Sequence, residues 1–211
     1  MAPTGSLVPD RRRLRVGLMG GSFNPAHEGH RHIALLALHR LALHEVWWLV
    51  TPQNPLKPVA GMAPFAERLA GAREVASHSR IRPSDLETRL GTRFTADTLL
   101  ALRRRYPTFR FVWVMGADCL PEFSRWHRWK TIFDTVPVAV FDRPSYSLGA
   151  MSSVAARHFA KNRVPARAAA TLTMRTPPAW AFLHTRRHTL SATRIRHEAA
   201  SGARAGQRMR G

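Results

Sequence analysis

An apolar run, Val16 to Met19, leads straight into a glycine pair, Gly20-Gly21, and an apolar helical pattern follows from Ile33 to Leu43. That order is strand, tight turn, helix. The connecting residues read Ser22-Phe23-Asn24-Pro25-Ala26-His27-Glu28-Gly29-His30. Two histidines therefore stand three apart where the helix begins, and residues at that spacing share a helix face. A helix N-terminus offers unpaired N–H groups and the positive end of the backbone dipole, which suits phosphate. Two imidazoles added there make a site for a polyphosphate and its developing charge.

The same alternation continues along the chain. Strands are expected at Arg15–Met19, Glu45–Thr51, Ile81–Asp85, Arg110–Met115, Val138–Asp142 and Ala181–Thr185. Helices are expected at Gly29–Leu43, Pro64–Ser77, Thr95–Arg105, Trp126–Phe133, Ser152–Asn162 and Thr193–Ala200. Strands such as Phe111-Val112-Trp113-Val114-Met115 are nearly all apolar, which implies burial on both faces. Strands alternating with helices predict an α/β fold, one domain with a doubly wound, mostly parallel sheet. Arg163 to Pro178 reads as the long irregular segment. Ligands of such sheets gather beyond the C-terminal strand ends, at the switch point in strand order. The glycine-rich and polar segments all fall there: Gly20-Gly21, Thr51-Pro52-Gln53-Asn54-Pro55-Leu56-Lys57-Pro58, Gly116-Ala117-Asp118 and, near the C-terminus, Ser191-Ala192-Thr193-Arg194-Ile195-Arg196. The last is a second helix start, with Ser191 as cap, a hydroxyl at Thr193 and a planar cationic fork at Arg196.

Composition limits the alternatives. A chain of 211 residues builds one well-buried domain. One cysteine, Cys119, cannot form an internal disulfide and reads as a small buried hydrophobe in a reducing, cytoplasmic setting. No run is long and apolar enough for a membrane span or signal peptide. The formal charge of +20 comes from 33 basic residues, of which only Lys57, Lys130 and Lys161 are lysines. Such a surface attracts anions and also binds nucleic acid nonspecifically. No nucleic-acid reading module accompanies it, so no specific nucleic-acid partner is expected.

Gly20, Gly21, His27, Gly29 and His30, together with Ser191, Thr193, Ile195 and Arg196, resemble the two signatures of the adenylyltransferase and cytidylyltransferase superfamily, a Rossmann-like nucleotidyltransferase fold. Gly116-Ala117-Asp118-Cys119-Leu120-Pro121-Glu122-Phe123-Ser124-Arg125-Trp126 resembles the Gly-x-Asp-x-Leu…Phe…Trp segment of bacterial nicotinate-nucleotide adenylyltransferases. Asn54 to Pro58 resembles their Asn/Pro-rich loop, Phe94-Thr95-Ala96-Asp97-Thr98-Leu99 their Tyr-Thr-x-x-Thr-Leu helix start, and Arg143-Pro144 their Arg-Pro turn. The resemblance implies adenylyl transfer from ATP to nicotinate mononucleotide, with Mg²⁺ on the phosphates and no protein metal site.

It also implies roles. His27 and His30 contact the ATP phosphates, His30 nearest the α-phosphate. Gly20, Gly21, Ser22 and Phe23 let the nucleotide approach. Ser191, Thr193 and Arg196 hold the β- and γ-phosphates, and Asp118 serves the adenosine side or a magnesium water. Asn54 and Lys57 meet the mononucleotide, Thr95 its carboxylate, and Trp126 and His127 its ring. Trp129 reads as core. Three departures stand out: Asn24 where many relatives carry aspartate, His127 in place of an aromatic, and a basic tail in place of an apolar one. Residues 1–14 are expected to form a disordered basic arm, 15–200 the domain and 201–211 a disordered tail. Oligomeric state is left open. Rival readings keep the chemistry with nicotinamide mononucleotide or phosphopantetheine as acceptor, or discard it for a basic nucleic-acid-binding protein.

Overall fold

The computed structural model describes residues 14–52, 61–142 and 147–185. Seven strands form a single sheet: β1 (Arg15–Gly21), β2 (Glu45–Val50), β3 (Ile81–Ser84), β4 (Arg110–Gly116), β5 (Val138–Phe141), β6 (Arg163–Val164) and β7 (Trp180–Leu183). Their spatial order is β3-β2-β1-β4-β5-β7-β6, and every pairing is parallel. The chain winds outward from β1 to β3, then restarts at β4 and winds the other way. The switch point therefore lies between β1 and β4, where Gly20-Gly21 and Gly116 end their strands.

Helices α1 (Glu28–Arg40), α2 (Phe65–Ala76), α3 (Leu86–Arg89), α4 (Thr95–Arg105), α5 (Trp129–Thr135), α6 (Ser147–Met151) and α7 (Val154–His158) connect them. Successive side chains of a strand point to opposite faces, and here both faces are buried. On β4, Val112 and Val114 join the core under α1 and α2, while Phe111, Trp113 and Met115 join the one under α4, α5 and α7. No described helix is long and apolar enough to cross a membrane.

Four elements differ from their expected form. The helix expected from Trp126 begins only at Trp129, because Arg128 is left-handed (φ 49°) and Trp126 is extended. Trp126 and Trp129 therefore do not form one helical stripe. The helix expected over Ser152–Asn162 divides into α7 and a 3₁₀ turn at Ala160–Asn162. Arg163 to Pro178 is ordered: β6 pairs with β7, and a 3₁₀ segment, Ala166–Met174, buries Ala169 and Leu172. Helix α1 ends at Arg40, ahead of left-handed Ala42. The expected helix Thr193–Ala200, the N-terminal arm through residue 13 and the tail lie outside the described residues.

Glycine has different causes at different places. A Cβ on Gly20 would lie 2.5 Å from Cη2 of Trp113, so the β4 indole occupies the space that a side chain would need. Gly71, inside α2, faces open space. Gly20→Ala is expected to destabilise by about 1–3 kcal/mol through overpacking. Gly71→Ala is expected to stabilise by about 0.5–1 kcal/mol through helix propensity. Urea midpoints of the two variants moving the same way would contradict this account.

Candidate functional site

His27 is the N-cap of α1 rather than a member of it, with extended backbone (φ −155°, ψ 166°). Its Nδ1 accepts the Gly29 N–H at 3.1 Å, and His30 Nδ1 accepts the His27 N–H at 3.2 Å. The two histidines thus form a reciprocal capping box, with ring centroids 3.8 Å apart. A ring nitrogen that accepts cannot carry a proton, so this network assigns both rings as neutral with the proton on Nε2. The Gly29 and His30 amides are already bonded within the turn. The Nε2–H groups are the ring donors that this network leaves to the pair. His27 is buried at 4% exposure, whereas His30 is half-buried and thus the more reachable ring.

The turn that carries this pair is held from below. Phe23 is left-handed (φ 46°) and buried. Its ring stacks on Trp48 of β2 at 4.9 Å and lies 4.8 Å from His30. The Asn24–Pro25 peptide is cis. Asn24 Nδ2 donates to the Gly61 carbonyl at 3.0 Å, and its Oδ1 accepts the Ala63 N–H at 3.2 Å. An aspartate has no proton for the first of these bonds, so the departure from aspartate brings a donor as well as removing a charge. Gly20 and Gly21 end β1 beside Trp113 and Phe23 respectively. Ser22 gives its carbonyl to Arg68 Nη1 at 2.6 Å.

Across the switch point, β4 passes into a 3₁₀ turn at Ala117–Cys119 that contains half-buried Asp118. Cys119 is half-buried against the same core. Trp126 stacks on Phe123 at 4.8 Å and meets Trp113 edge-on at 6.4 Å. His127 lies over Phe94 at 4.3 Å, and Arg128 pairs with Asp97 at 3.1 Å. Those two contacts pin the Trp126–His127 segment against the start of α4, where Thr95 is the first residue. That start has no side-chain cap. Trp129 is half-buried and packs on Phe159 and His158 at the margin of the core. Asn54, Lys57, Arg143, Pro144, Ser191, Thr193 and Arg196 lie outside the described residues.

Two buried ionisable groups had no part in the sequence reading. Arg68 is 4% exposed and directs its guanidinium at backbone carbonyls, and burial lowers its pKa. Its only sequence signal is a cation interrupting the apolar stripe Phe65, Leu69, Ala72, Ala76. Glu87, 3% exposed in the one-turn helix α3, has the Thr51 and Thr98 hydroxyls beside its carboxyl group. Burial pushes its pKa up to about 7 against the pull of those hydroxyls. No sequence pattern marks it. Among the described residues no group of three or more His, Cys, Asp or Glu could hold a metal ion.

The family model described as cytidylyltransferase-like matches residues 18–198. A Methylorubrum extorquens protein named "Probable nicotinate-nucleotide adenylyltransferase" is 54% identical over 183 residues, 87% of this chain and 99% of its own length. A Cereibacter sphaeroides protein of the same name is 55% identical, over 86% of this chain and 96% of its own. Among solved structures, Plasmodium falciparum nicotinic acid mononucleotide adenylyltransferase complexed with NaAD superposes with a TM-score of 0.65 at 15% identity. The match covers 87% of this chain and 83% of that one. At that identity the likeness speaks for the fold.

Glu87 makes stability depend on pH. Its folded pKa of about 7 exceeds the ordinary 4.5, so the folded state holds the proton more tightly. That contribution is complete below about pH 4.5 and is lost as pH rises through 7, up to about 3 kcal/mol in all. Glu87→Gln cannot ionise. The stability gap between wild type and variant should therefore shift in the variant's favour between pH 5.5 and 8.5 in urea melts. A constant gap would mean that Glu87 ionises as an ordinary carboxyl.

Proposed function

Since this chain belongs to the cytidylyltransferase-like family, we propose that it transfers the adenylyl group of ATP to nicotinate mononucleotide, giving deamido-NAD and pyrophosphate. Proteins named for that reaction are 54–55% identical to it over 86–87% of its length. The observation that supports the reading is the reciprocal capping of His27 and His30 on the turn after β1, where both Nδ1 atoms accept backbone amides and each Nε2 is left the proton.

The acceptor phosphate oxygen attacks the α-phosphorus in line. A new P–O bond forms, and the bond from the α-phosphorus to the bridging oxygen breaks, with pyrophosphate carrying off the electron pair. The nucleophile is already an anion, so no general base is needed. Catalysis is positioning and charge stabilisation. In this reading His30 Nε2–H donates to the α-phosphate, and His27 braces it. Gly20, Gly21, Ser22 and Phe23 shape the floor under ATP, and Asp118 serves the adenosine side. Ser191, Thr193 and Arg196 take the departing pyrophosphate, and Asn54 and Lys57 the mononucleotide phosphate. Mg²⁺ would travel on the phosphates, where it keeps several waters. The domain of residues 15–200 supplies all these groups.

Nicotinate differs from nicotinamide by one negative charge. The uncapped start of α4 at Thr95 supplies backbone N–H groups and a positive dipole end for that carboxylate. Phe123 covers one face of Trp126, and the opposite face is assigned to the pyridinium ring, a favourable cation–π partner for indole. His127 flanks it.

Pyrophosphate release from MgATP tests the reaction, with nicotinate mononucleotide, nicotinamide mononucleotide and phosphopantetheine compared as acceptors. The first is expected to dominate. Preference for the second would remove the carboxylate role of Thr95, and silence with all three would overturn the activity. His30→Ala should lower kcat by about 10²-fold or more, the scale for losing one positioned donor. Trp126→Ala should raise KM for the mononucleotide and leave KM for ATP nearly unchanged. Equal effects on both substrates would mark Trp126 as structural.

A further inference from the structure

Arg68 has no role in the reaction described above, yet its environment is built to one purpose. Its Nε donates to the Ala63 carbonyl at 2.9 Å, Nη1 to Ser22 at 2.6 Å and Thr51 at 2.8 Å, and Nη2 to Pro52 at 2.7 Å. These acceptors come from three stretches: the turn after β1, the end of β2 and the lead-in to α2. The ring of Phe65 lies 5.5 Å beneath the guanidinium. Burying a cation is costly unless its donors are satisfied. Here backbone carbonyls take four of its five N–H donors, and no carboxylate among the described residues pairs with the charge. Lysine cannot replace this arrangement, because its ammonium is a compact cation without a fork.

Ser22 immediately precedes Phe23, whose left-handed backbone is a sparsely populated region for a bulky residue. Phe23 in turn packs on His30. We propose that Arg68 is a positioning residue: by clamping the Ser22 carbonyl to the end of β2, it fixes the left-handed Phe23 and so aims His30 Nε2 at the reacting phosphorus. The reactive end of this proposal rests on the adenylyl-transfer reading, while the aim of His30 can be measured without turnover.

Arg68→Lys is the first variant, with folding checked by circular dichroism and a cooperative melt. Its kcat is expected to fall about 10²-fold, the loss that a misplacement near 1 Å produces, while both KM values stay within a few-fold. Arg68→Ala should regain part of its kcat in millimolar methylguanidinium. Imidazole ¹H–¹⁵N spectra, assigned against His30→Gln, should show a single Nε2–H tautomer for His27 and His30 in wild type and a mixture in Arg68→Lys. An unchanged kcat with an unchanged His30 signature would overturn the proposal, as would a loss confined to KM. If neither variant folds, the wild-type protein decides: the Arg68 Nε proton must exchange slowly with water, and fast exchange overturns the clamp. If wild type does not use nicotinate mononucleotide, the functional reading falls and the imidazole spectra still judge Arg68.

Discussion

The indole of Trp113 fills the space that a side chain on Gly20 would occupy, and much of the site depends on that one fit. The β1–β4 pairing stops at Leu18 and Trp113, and that indole reaches across beside Gly20, between the glycine turn of β1 and the Gly116 end of β4. Trp126 leans edge-on against the same indole. One core residue therefore backs both the turn that leads to the histidines and the aromatic platform across the switch point. The glycine of the motif is in this respect a demand of packing, over and above any need for a ligand to approach.

Two ionisable groups buried near Thr51 illustrate different ways of tolerating burial. Arg68 keeps its charge and places four of its five N–H donors on carbonyls, the Thr51 carbonyl included. Glu87, which meets the Thr51 side chain, lies among hydroxyls that support a carboxylate less than desolvation opposes it. The end of β2 is thereby held from both sides by groups that surface electrostatics hardly reaches. This separates the architecture of the site from the large positive charge of the exterior.

The parallel, doubly wound sheet was legible because its inner strands are apolar throughout, and β1, β2, β4 and β5 were found nearly to the residue. β6 was not, since two residues carry no periodicity and its pairing with β7 is purely tertiary. The Trp126 helix was overextended because nothing in Arg128 announces a left-handed backbone. His27 and His30 stood out by spacing, but spacing alone put both on a helix face. That His27 caps and His30 caps back depends on ring orientation, which no pattern encodes. Arg68 was visible only as a breach in an apolar stripe, and Glu87 not at all, because burial of so short a helix is decided by its neighbours.

The histidine capping box has a consequence for selectivity among metals. Imidazoles this close resemble the beginnings of a zinc or copper site. Either ring could ligate through Nε2 only by giving up the proton there. It would then either carry a proton on Nδ1, facing the backbone N–H it now accepts, or become an imidazolate. The first course uncaps α1 and the second is strongly uphill in neutral water. As long as both Nδ1 atoms accept backbone amides, the pair is therefore a poor starting point for a zinc or copper site.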